Sequence, residues 1–412
     1  MKNLFFFIAV LFLAASCSPT DNGPVAPAEP IVLDTRSAEK IAADNDFAFR
    51  FFRETLATVP EVDKKNAFVS PLSLTMALGM LYNGTSPDAA AEMEAAMGMA
   101  GFTPEEVNAH YQALMGALLE ADPRTNLAIA NSIWSRDGFP VKPAFYDVNR
   151  EYYDAEVQSR DFNLAATVDE INKWCADNTA GKIPKILDGS ISPETVMYLI
   201  NAVYFKGQWK YTFEKSDTRD EPFHLADGTQ KTVPMMNQEV AMPAYWNPSL
   251  QCVDLPYGNG AFSMMLVMPL DENGSLDELI AEFDADTYNE VVSGLYKSNF
   301  DLKIPRWKQE CDFGLNSAVK NLGIRQVFGE GSLSGISDDS TLRVSGIKQK
   351  TFVEVNEEGT EAAAVTSVEV MATVAEPSGP PSFIADRPFL YLIRERSTGA
   401  ILFIGRMDEP QI

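Results

Sequence analysis

The stretch NEEGTEAAAV, residues 356–365, places a glycine, a threonine and three consecutive alanines directly after a run of acids. The residues that follow, TSVEVMATVAEPSGPPS (366–382), contain no lysine, no arginine and no large aromatic side chain. A segment this small and this poor in basic residues is unusual for an exposed loop, which is generally rich in charged side chains. Its composition suits a chain that can lie flat inside a β-sheet.

With the two-residue period of a strand, the stretch has two different faces. One face has no charge and changes from small to β-branched side chains, whereas the other carries the acids. This predicts a half-buried strand that is thin enough at its start to enter between existing strands. Gly359 before it and PSGPP after it leave a plain edge strand or loop as the alternative. The uncharged face holds Thr360, Ala362, Ala364, Thr366, Val368 and Val370, and the other holds Glu361, Ala363, Val365, Ser367, Glu369 and Met371.

Helical patterns dominate the first half of the chain. Two of these patterns open with a capping residue followed by proline, Ser70-Pro71 and Thr103-Pro104, which is a typical helix start. Apolar residues recur at helical spacing in residues 37–57, 70–84 and 103–121.

Strand-like runs follow later in the chain. The runs around Leu199 and Met265 are apolar on both faces, which predicts strands in the interior of a sheet. ADGTQKTVPMM and STGAILFIGR place turn residues beside extended runs, as hairpins do. Helices with largely antiparallel strands, and no regular βαβ alternation, predict an α+β fold. The strand-like runs are residues 196–205, 262–270, 300–307, 350–356 and 389–395.

The composition is that of a globular protein with a strongly acidic balance. The 412 residues are 46% hydrophobic and 22% charged, and the net charge is −25. That charge disfavours nucleic acid and anionic membrane surfaces as partners, because both require basic patches. Since no linker or repeat interrupts the chain after residue 36, we expect one large domain over residues 37–412.

The N-terminus has the pattern of a secretory signal. Lys2 precedes a short apolar run and small residues, and the run is too short for a good membrane span. AAS-Cys17 resembles a bacterial lipobox, although Ala14 stands where a branched residue is usual. We therefore expect a signal peptide over 1–16, lipidation of Cys17 and a Pro-rich tether over 17–36 that holds the domain at the outer membrane or cell surface. Ordinary signal cleavage, giving a periplasmic or extracellular protein, is the alternative.

The chain lacks the usual chemistry of an enzyme. His110 and His224 are the only histidines, and we expect structural roles for both. No nucleophile elbow, phosphate loop or zinc motif occurs, so no metal, no cofactor and no catalysis are predicted. Cys175, Cys252 and Cys311 match no metal spacing, and their odd number argues against a disulfide framework, so we predict small buried side chains.

From about Ser37 to Ile412 the chain resembles the serpin family. The family's hinge pattern Glu-x-Gly-Thr-x-Ala-Ala is present, as are its C-terminal signature FIADRPFLYLI and the motifs NAFVSPLSL and NAVYFKGQW. The four motifs stand in the family's order, and together they are very specific. The matching residues are Glu357, Gly359, Thr360, Ala362 and Ala363 in the hinge; Asp386, Arg387, Pro388 and Phe389; Asn66, Ser70, Pro71 and Ser73; and Asn201 and Trp209.

The resemblance implies a mechanism. Serpins have a large central, mostly antiparallel sheet, further sheets and about nine helices, and an exposed reactive centre loop, here about 357–386. A target endopeptidase cuts this loop, becomes acylated on it, and is trapped when the freed strand inserts into the central sheet. The hinge, with Ala364 as its last small residue, would enter first. The outward-facing Val365, bulkier than the usual small residue, should be tolerated.

By the same resemblance, Ser70, Ser73, Asn201, Trp209 and Gln349 lie at the sites that control sheet opening. Many serpins have a histidine where this chain has Gln349. We therefore expect the hydrogen bonds from this position to Asn201 and Ser70 to be rearranged.

The family's usual spacing from the hinge places the reactive bond at Thr373-Val374, with Met371-Ala372 and Ala372-Thr373 as alternatives. Small and β-branched side chains without a basic residue suit elastase- or subtilisin-like serine proteases rather than trypsin-like ones. The alternatives are inhibition of papain-like cysteine proteases, a non-inhibitory surface binding protein and, least favoured, a lipid-anchored hydrolase. We expect a monomer that heparin does not activate, because residues 103–124 contain no basic cluster.

Overall fold

A computed structural model describes residues 26–360 and 382–412 of the chain. Within these ranges, no helix combines the length and hydrophobicity that a bilayer crossing requires. The predictions outside them are the signal peptide, Cys17, the hinge alanines Ala362, Ala363 and Ala364, and the loop residues Met371, Ala372, Thr373 and Val374.

The described residues contain ten α-helices and fifteen β-strands. The helices are α1 Thr35–Thr58, α2 Glu61–Lys64, α3 Pro71–Tyr82, α4 Pro87–Ala96, α5 Pro104–Glu120, α6 Pro143–Tyr153, α7 Ala165–Asn178, α8 Leu276–Glu282, α9 Ala285–Gly294 and α10 Asn316–Asn321. The strands are β1 Phe68–Val69, β2 Asn126–Arg136, β3 Glu156–Arg160, β4 Met197–Gln208, β5 Arg219–His224, β6 Gln230–Trp246, β7 Leu250–Pro256, β8 Phe262–Pro269, β9 Tyr296–Pro305, β10 Trp307–Gly314, β11 Lys348–Asn356, β12 Gly359–Thr360, β13 Ser382–Ile384, β14 Phe389–Glu395 and β15 Ile401–Met407.

The strands form two sheets. The six-stranded sheet has the order β10-β11-β12-β4-β2-β3, and the nine-stranded sheet has the order β1-β15-β14-β8-β7-β6-β9-β13, with β5 also paired to β6. The pairs are antiparallel except β2 with β3 and β13 with β9. Helix α3 contacts both β4 and β15 and so lies between the sheets. The α+β prediction is confirmed, with one helix more than the expected nine.

The predicted helix starts are confirmed. Ser70 caps α3 by accepting a hydrogen bond from the backbone N–H of Ser73, and proline occupies the first turn. Thr103 and Glu106 form a reciprocal capping box at the start of α5. These caps satisfy backbone N–H groups that have no partner inside the helix, which explains why the local sequence determines the helix starts.

The apolar strands also lie where the sequence places them. β8 lies between β14 and β7, and β4 lies between β2 and, at residues 207 and 208, β12, so both have interior positions in the strand order. The hairpins β5–β6 and β14–β15 form at the two predicted turns. Cys175, Cys252 and Cys311 are buried free thiols. Burial raises the pKa of the Cys175 and Cys311 thiols to about 12, which makes them poor nucleophiles.

One strand-like run is divided between the two sheets. FDLKIPRW continues from β9 in the nine-stranded sheet into β10 in the six-stranded sheet, and the chain leaves the first sheet at Arg306. Proline at 305 has no N–H to contribute to a ladder, so it is suited to the end of a strand. Arg306 thereby lies directly before β10, close enough to Glu357 for a hydrogen bond.

Candidate functional site

The hinge begins inside the six-stranded sheet. The two residues of β12 pair with β11 on one side and with β4 on the other, antiparallel to both. Thr360 stands opposite Val355 of β11 and opposite Gly207 of β4. Its side chain is 2% exposed, so the first residue of the predicted inserting face is already buried in the sheet.

Beyond β12, the described residues leave an opening in the sheet. Among the described residues, no strand lies between the facing edges of β4 and β11, which run along residues 197–206 and 348–354. A cavity of about 170 Å³ lies at this opening and is lined by Ser70, Ser73, Asn201 and Gln349 together with apolar side chains. Edges of this kind offer backbone donors and acceptors to an added strand.

A buried acid anchors the segment before the hinge. The Glu357 carboxylate, 1% exposed, accepts hydrogen bonds from the Arg306 guanidinium, at 2.7 Å from Nε, and from the Thr218 hydroxyl. Burial raises the pKa of Glu357, but the hydrogen bonds from Arg306 and Thr218 outweigh this effect, and the pKa lies below its usual value. Glu357 is therefore ionised at neutral pH and fixes the base of the loop to β10.

Trp209 holds the backbone of the same segment. Its indole Nε1 donates to the carbonyl of Asn356 at 2.9 Å, and its backbone N–H donates to the carbonyl of Glu358 at 2.9 Å. The Glu358 side chain also pairs with Lys215 at 2.6 Å. Trp209, selected from its motif, thus contacts the residues that immediately precede the hinge.

Gly359 cannot be replaced by a larger residue without a change in the sheet. Its φ is +148°, and a Cβ at this position would lie 2.1 Å from the carbonyl oxygen of Gly207. Only glycine combines this backbone conformation with so close an approach of a neighbouring strand. The glycine of the hinge pattern therefore has a steric reason at this site.

Tyr257 is a site residue that the sequence did not reveal. Its hydroxyl lies 2.6 Å from Oγ1 of Thr360, and the side chain is fully buried at the turn between β7 and β8. Tyr257 lies outside the four family motifs, and it is 103 residues from Thr360 in the chain. The glycines of the following turn, in Tyr-Gly-Asn-Gly, were the only local signal, and they indicate a turn without indicating a contact.

Below the hinge, Gln349 joins β11 to the start of α3. Its side-chain amide bonds both the backbone N–H and the carbonyl of Ser70, and the Ser70 hydroxyl donates to the carbonyl of Leu402. Within the described ranges, no hydrogen bond links Gln349 to Asn201. In this part of the chain, the side-chain hydrogen bonds of Gln349 are therefore with Ser70 alone.

Asn201 lies across the opening from Gln349. Its Nδ2 donates to Oδ1 of Asn131 at 2.7 Å, and its carbonyl is 3.4 Å from the hydroxyl of Ser73. Its Oδ1 is buried and has no hydrogen-bond partner among the described residues. A buried acceptor without a donor is costly, so this atom marks a position where a further polar group would be favourable.

The C-terminal end of the loop is tied to the nine-stranded sheet. β13 pairs in parallel with β9, and the carbonyl of Asp386 accepts a hydrogen bond from the backbone N–H of His224 at 2.7 Å. Nη2 of Arg387 donates to the carbonyl of Pro269 at 3.1 Å. Thr360 thus lies in the six-stranded sheet, and the described chain resumes at Ser382 in the nine-stranded sheet.

The remaining candidates do not join this site. His110 is buried in α5, and its Nε2 lies 3.4 Å from Oδ2 of Asp44 on α1, which is a packing contact between helices. In residues 26–360 and 382–412, no cluster of three or more histidine, cysteine or acidic side chains could hold a metal ion.

Comparisons with known proteins agree with this geometry. The profile of the family "Serpin (serine protease inhibitor)" matches residues 42–410. A leukocyte elastase inhibitor of Xenopus laevis is 35% identical over 84% of this chain and 93% of its own length. A serpin-like protein of Thermococcus kodakarensis is 31% identical over 95% of this chain and 91% of its own length. The native thermophilic serpin tengpin has 30% identity and a TM-score of 0.81, covering 94% of this chain and 98% of its own.

Proposed function

Since the chain belongs to the serpin family of serine protease inhibitors, we propose that it is a suicide substrate that traps its target by loop insertion. Serpins are not catalysts, so membership in this family means that the chain is not an enzyme. The loop of residues 357–386 is the bait, and Thr373-Val374 is the proposed reactive bond, with the neighbouring bonds from Met371 to Thr373 as alternatives. The acyl-enzyme forms on the loop, and residues after Thr360 then insert between β4 and β11.

The observation that carries this proposal is the register of β12. Continued along the sheet, it would place residue 361 opposite 206 of β4 and 354 of β11, and residue 370 opposite Met197, the first residue of β4. On the β4 side the interval extends for ten further residues, 361–370, and on the β11 side for seven, 361–367, which would stand opposite residues 354–348. Thr360 points inward, so the even-numbered residues would follow it into the interior.

The inward set matches what the interior can accept. It starts with two alanines and continues with threonine and two valines, at positions 362, 364, 366, 368 and 370. No charge has to be buried without a partner. The odd-numbered side chains, which include both glutamates of this segment, would remain on the outer face. The small, uncharged side chains of the hinge disfavour the alternative function as a non-inhibitory binding protein.

The energetics favour a one-way reaction. Each added backbone hydrogen bond contributes about 0.5–1.5 kcal/mol net, and each buried valine about 1.5–3 kcal/mol. Together they reach roughly ten kcal/mol, which makes insertion effectively irreversible. Movement of residues 361–373 at about 3.3 Å each carries the acyl bond roughly 40 Å. A displacement of about 1 Å in the protease's catalytic groups can cost a hundredfold in rate, so the acyl bond would survive.

The loop sequence supports an apolar, shallow specificity pocket in the target. Residues 360–385 contain no lysine or arginine, which disfavours trypsin-like enzymes. Small and β-branched side chains around Thr373 suit elastase- or subtilisin-like proteases. Several relatives of 33–35% identity are named leukocyte elastase inhibitors, which is consistent with this class of target. Papain-like cysteine proteases are the second choice.

The N-terminal sequence supports export and anchoring. We propose that residues 1–16 are removed, that Cys17 carries the lipid, and that the tether of residues 17–36 holds a monomeric inhibitor at the outer membrane or cell surface. The membrane contact would be through the lipid alone. Mass spectrometry of the mature N-terminus, in the native chain and in Cys17→Ser, distinguishes a lipidated cysteine from ordinary cleavage.

The deciding experiment is incubation with elastase-, subtilisin- and papain-like endopeptidases. We expect an SDS-stable adduct and release of a peptide that begins at Val374 or one or two residues earlier, identified by mass spectrometry. Thr360→Arg places a charge on the first inserting side chain, so this variant should be cut without trapping; Thr360→Ser is the matched control. Cleavage of the unmodified protein without any adduct, and with no rise in its melting temperature, would refute the proposal.

A further inference from the structure

The contact between Tyr257 and Thr360 joins the two sheets at the position where insertion would begin. Tyr257 follows β7 of the nine-stranded sheet, and Thr360 forms β12 in the six-stranded sheet. Their oxygen atoms are 2.6 Å apart, and the two side chains are 0% and 2% exposed. Water therefore has little access to either hydroxyl, and within the described ranges each hydroxyl has the other as its hydrogen-bond partner.

Contacts other than the one with Thr360 already hold the ring of Tyr257 in place. It stacks on Trp209 with centroids 4.5 Å apart and planes 11° apart, and the edge of Phe205 packs on it at 5.0 Å. The backbone N–H of Tyr257 donates to the carbonyl of Phe262 at 2.9 Å. The next residue, Gly258, donates to the carbonyl of Gln208 in β4 at 2.8 Å. The hydroxyl is thus fixed relative to the edge of β4.

Among the described residues, Thr360 is the one hydrogen-bond partner of this hydroxyl. The ring lies so close to β4 that a Cβ on Gly207 would be 2.7 Å from it. Burial raises the pKa of Tyr257 above its usual value, so the phenol stays protonated and can donate. If the hinge left the sheet, this buried O–H group would lose the hydrogen bond with Thr360, which is unfavourable for a donor.

We propose that Tyr257 is a positioning residue for loop insertion, because its hydroxyl seats Thr360 between β4 and β11 in the uncleaved inhibitor. Insertion then starts from a residue that is already paired on both sides. The remaining residues need only extend an existing strand, so insertion can compete with hydrolysis of the acyl bond. This inference rests on the proposed function, but the seating of Thr360 can be measured in the intact protein alone.

The test is a double-mutant cycle on Tyr257→Phe and Thr360→Val. Each single change leaves one buried hydroxyl without a partner, whereas the double change removes both polar groups. We expect Tyr257→Phe to raise amide hydrogen exchange at Thr360 about tenfold, the equivalent of one lost buried hydrogen bond. We also expect this variant to lower the ratio of trapped protease to cleaved, released inhibitor, while the rate of loop cleavage is unchanged. The double variant should recover most of both losses.

Tyr288→Phe is the matched control. Tyr288 is also buried, and its hydroxyl donates to the carbonyl of Gly399 at 2.9 Å, away from the opening. We expect this variant to change neither the exchange at Thr360 nor the trapping ratio. Equal effects of the two tyrosine variants would overturn the proposal, since Tyr257 would then contribute packing only.

The outcomes separate this inference from the proposed function. If the native chain forms no adduct with any endopeptidase but Tyr257→Phe still raises exchange at Thr360, the seating stands and the trapping function fails. If the native chain traps a protease and Tyr257→Phe leaves both the exchange and the trapping ratio unchanged, the positioning role is wrong.

Discussion

The side-chain amide of Gln349 forms a two-way hydrogen-bonded pair with the backbone of Ser70. Its Oε1 accepts from the Ser70 N–H and its Nε2 donates to the Ser70 carbonyl, both at 2.9 Å. Ser70 is also the cap of α3. One side chain of β11 therefore holds the start of the helix that lies behind the opening of the sheet.

The hydrogen bonds between Gln349 and Ser70 predict how stability changes when the side-chain amide nitrogen is replaced by oxygen. Gln349→Glu keeps the shape but directs a carboxylate oxygen at the Ser70 carbonyl, so a donor is replaced by a repulsive contact. We expect the intact protein to lose about 1–3 kcal/mol, measured as a lower thermal midpoint at a fixed heating rate. Gln230→Glu, at an exposed position of β6, should change stability by less than about 0.5 kcal/mol. Equal midpoints for the two variants would contradict this account.

The close approach at Gly359 predicts that even one methyl group is too large. Gly359→Ala would force its Cβ against the carbonyl of Gly207 and strain a positive φ. We expect β12 to leave the sheet, with faster amide exchange at Thr360 and more hydrolysed than trapped inhibitor after cleavage. Gly314→Ala is the control, since nothing lies within 4 Å of a Cβ there. Normal trapping by Gly359→Ala would show that the hinge does not need this geometry.

The anchoring of Glu357 predicts a dependence on pH. Because its pKa is lowered in the folded protein, its ionised form stabilises the fold above the ordinary carboxyl pKa. This contribution is lost as the pH falls through the folded-state pKa. We expect Glu357→Gln to cost about 1–2 kcal/mol at neutral pH, a value reduced from that of a fully buried pair because Arg306 is partly exposed.

The measurement compares thermal midpoints of the native chain and Glu357→Gln at neutral pH and below about pH 4, under the usual carboxyl value. The difference between them should shrink in acid. Glu310→Gln, at an exposed position of β10, is the control. A difference that is the same at both pH values would show that the charge of Glu357 does not stabilise the fold.

The sequence predicted what depends on nearby residues. Ser70 with Pro71 predicted the start of α3, because a capping residue acts within the first turn of its own helix. The two-face apolar runs correctly indicated interior strands. These features need no knowledge of the neighbouring elements.

The partners of the site could not be predicted in this way. Thr218, Tyr257 and Arg306 come from 139, 103 and 51 residues away in the chain, and no period or spacing connects them to the hinge. Arg306 lies within a run that resembles one strand but is divided between two sheets. The side chain of Gln349 could form several hydrogen bonds, and only the position of β11 beside the cap of α3 determines that they are formed with Ser70.

The unpartnered oxygen of Asn201 gives the last prediction. In the observed register, Thr360 stands opposite Gly207 and Val355. If insertion continues this register, residue 366 will lie opposite Asn201 on one side and Gln349 on the other. Its side chain will point inward like that of Thr360. The hydroxyl can then donate to Oδ1 of Asn201, which has no partner in the described part of the chain.

Thr366→Val keeps the shape and removes the donor. We expect the loop-cleaved form to lose about 1–2 kcal/mol of the stability gained on cleavage, while the intact form is unchanged. Thr366→Ser should retain the full gain. Ser367→Ala, on the outward face, is the control and should have no effect. The thermal midpoints of cleaved and intact protein measure this difference. If cleaved Thr366→Val and the cleaved native chain have the same thermal midpoint, insertion follows another register.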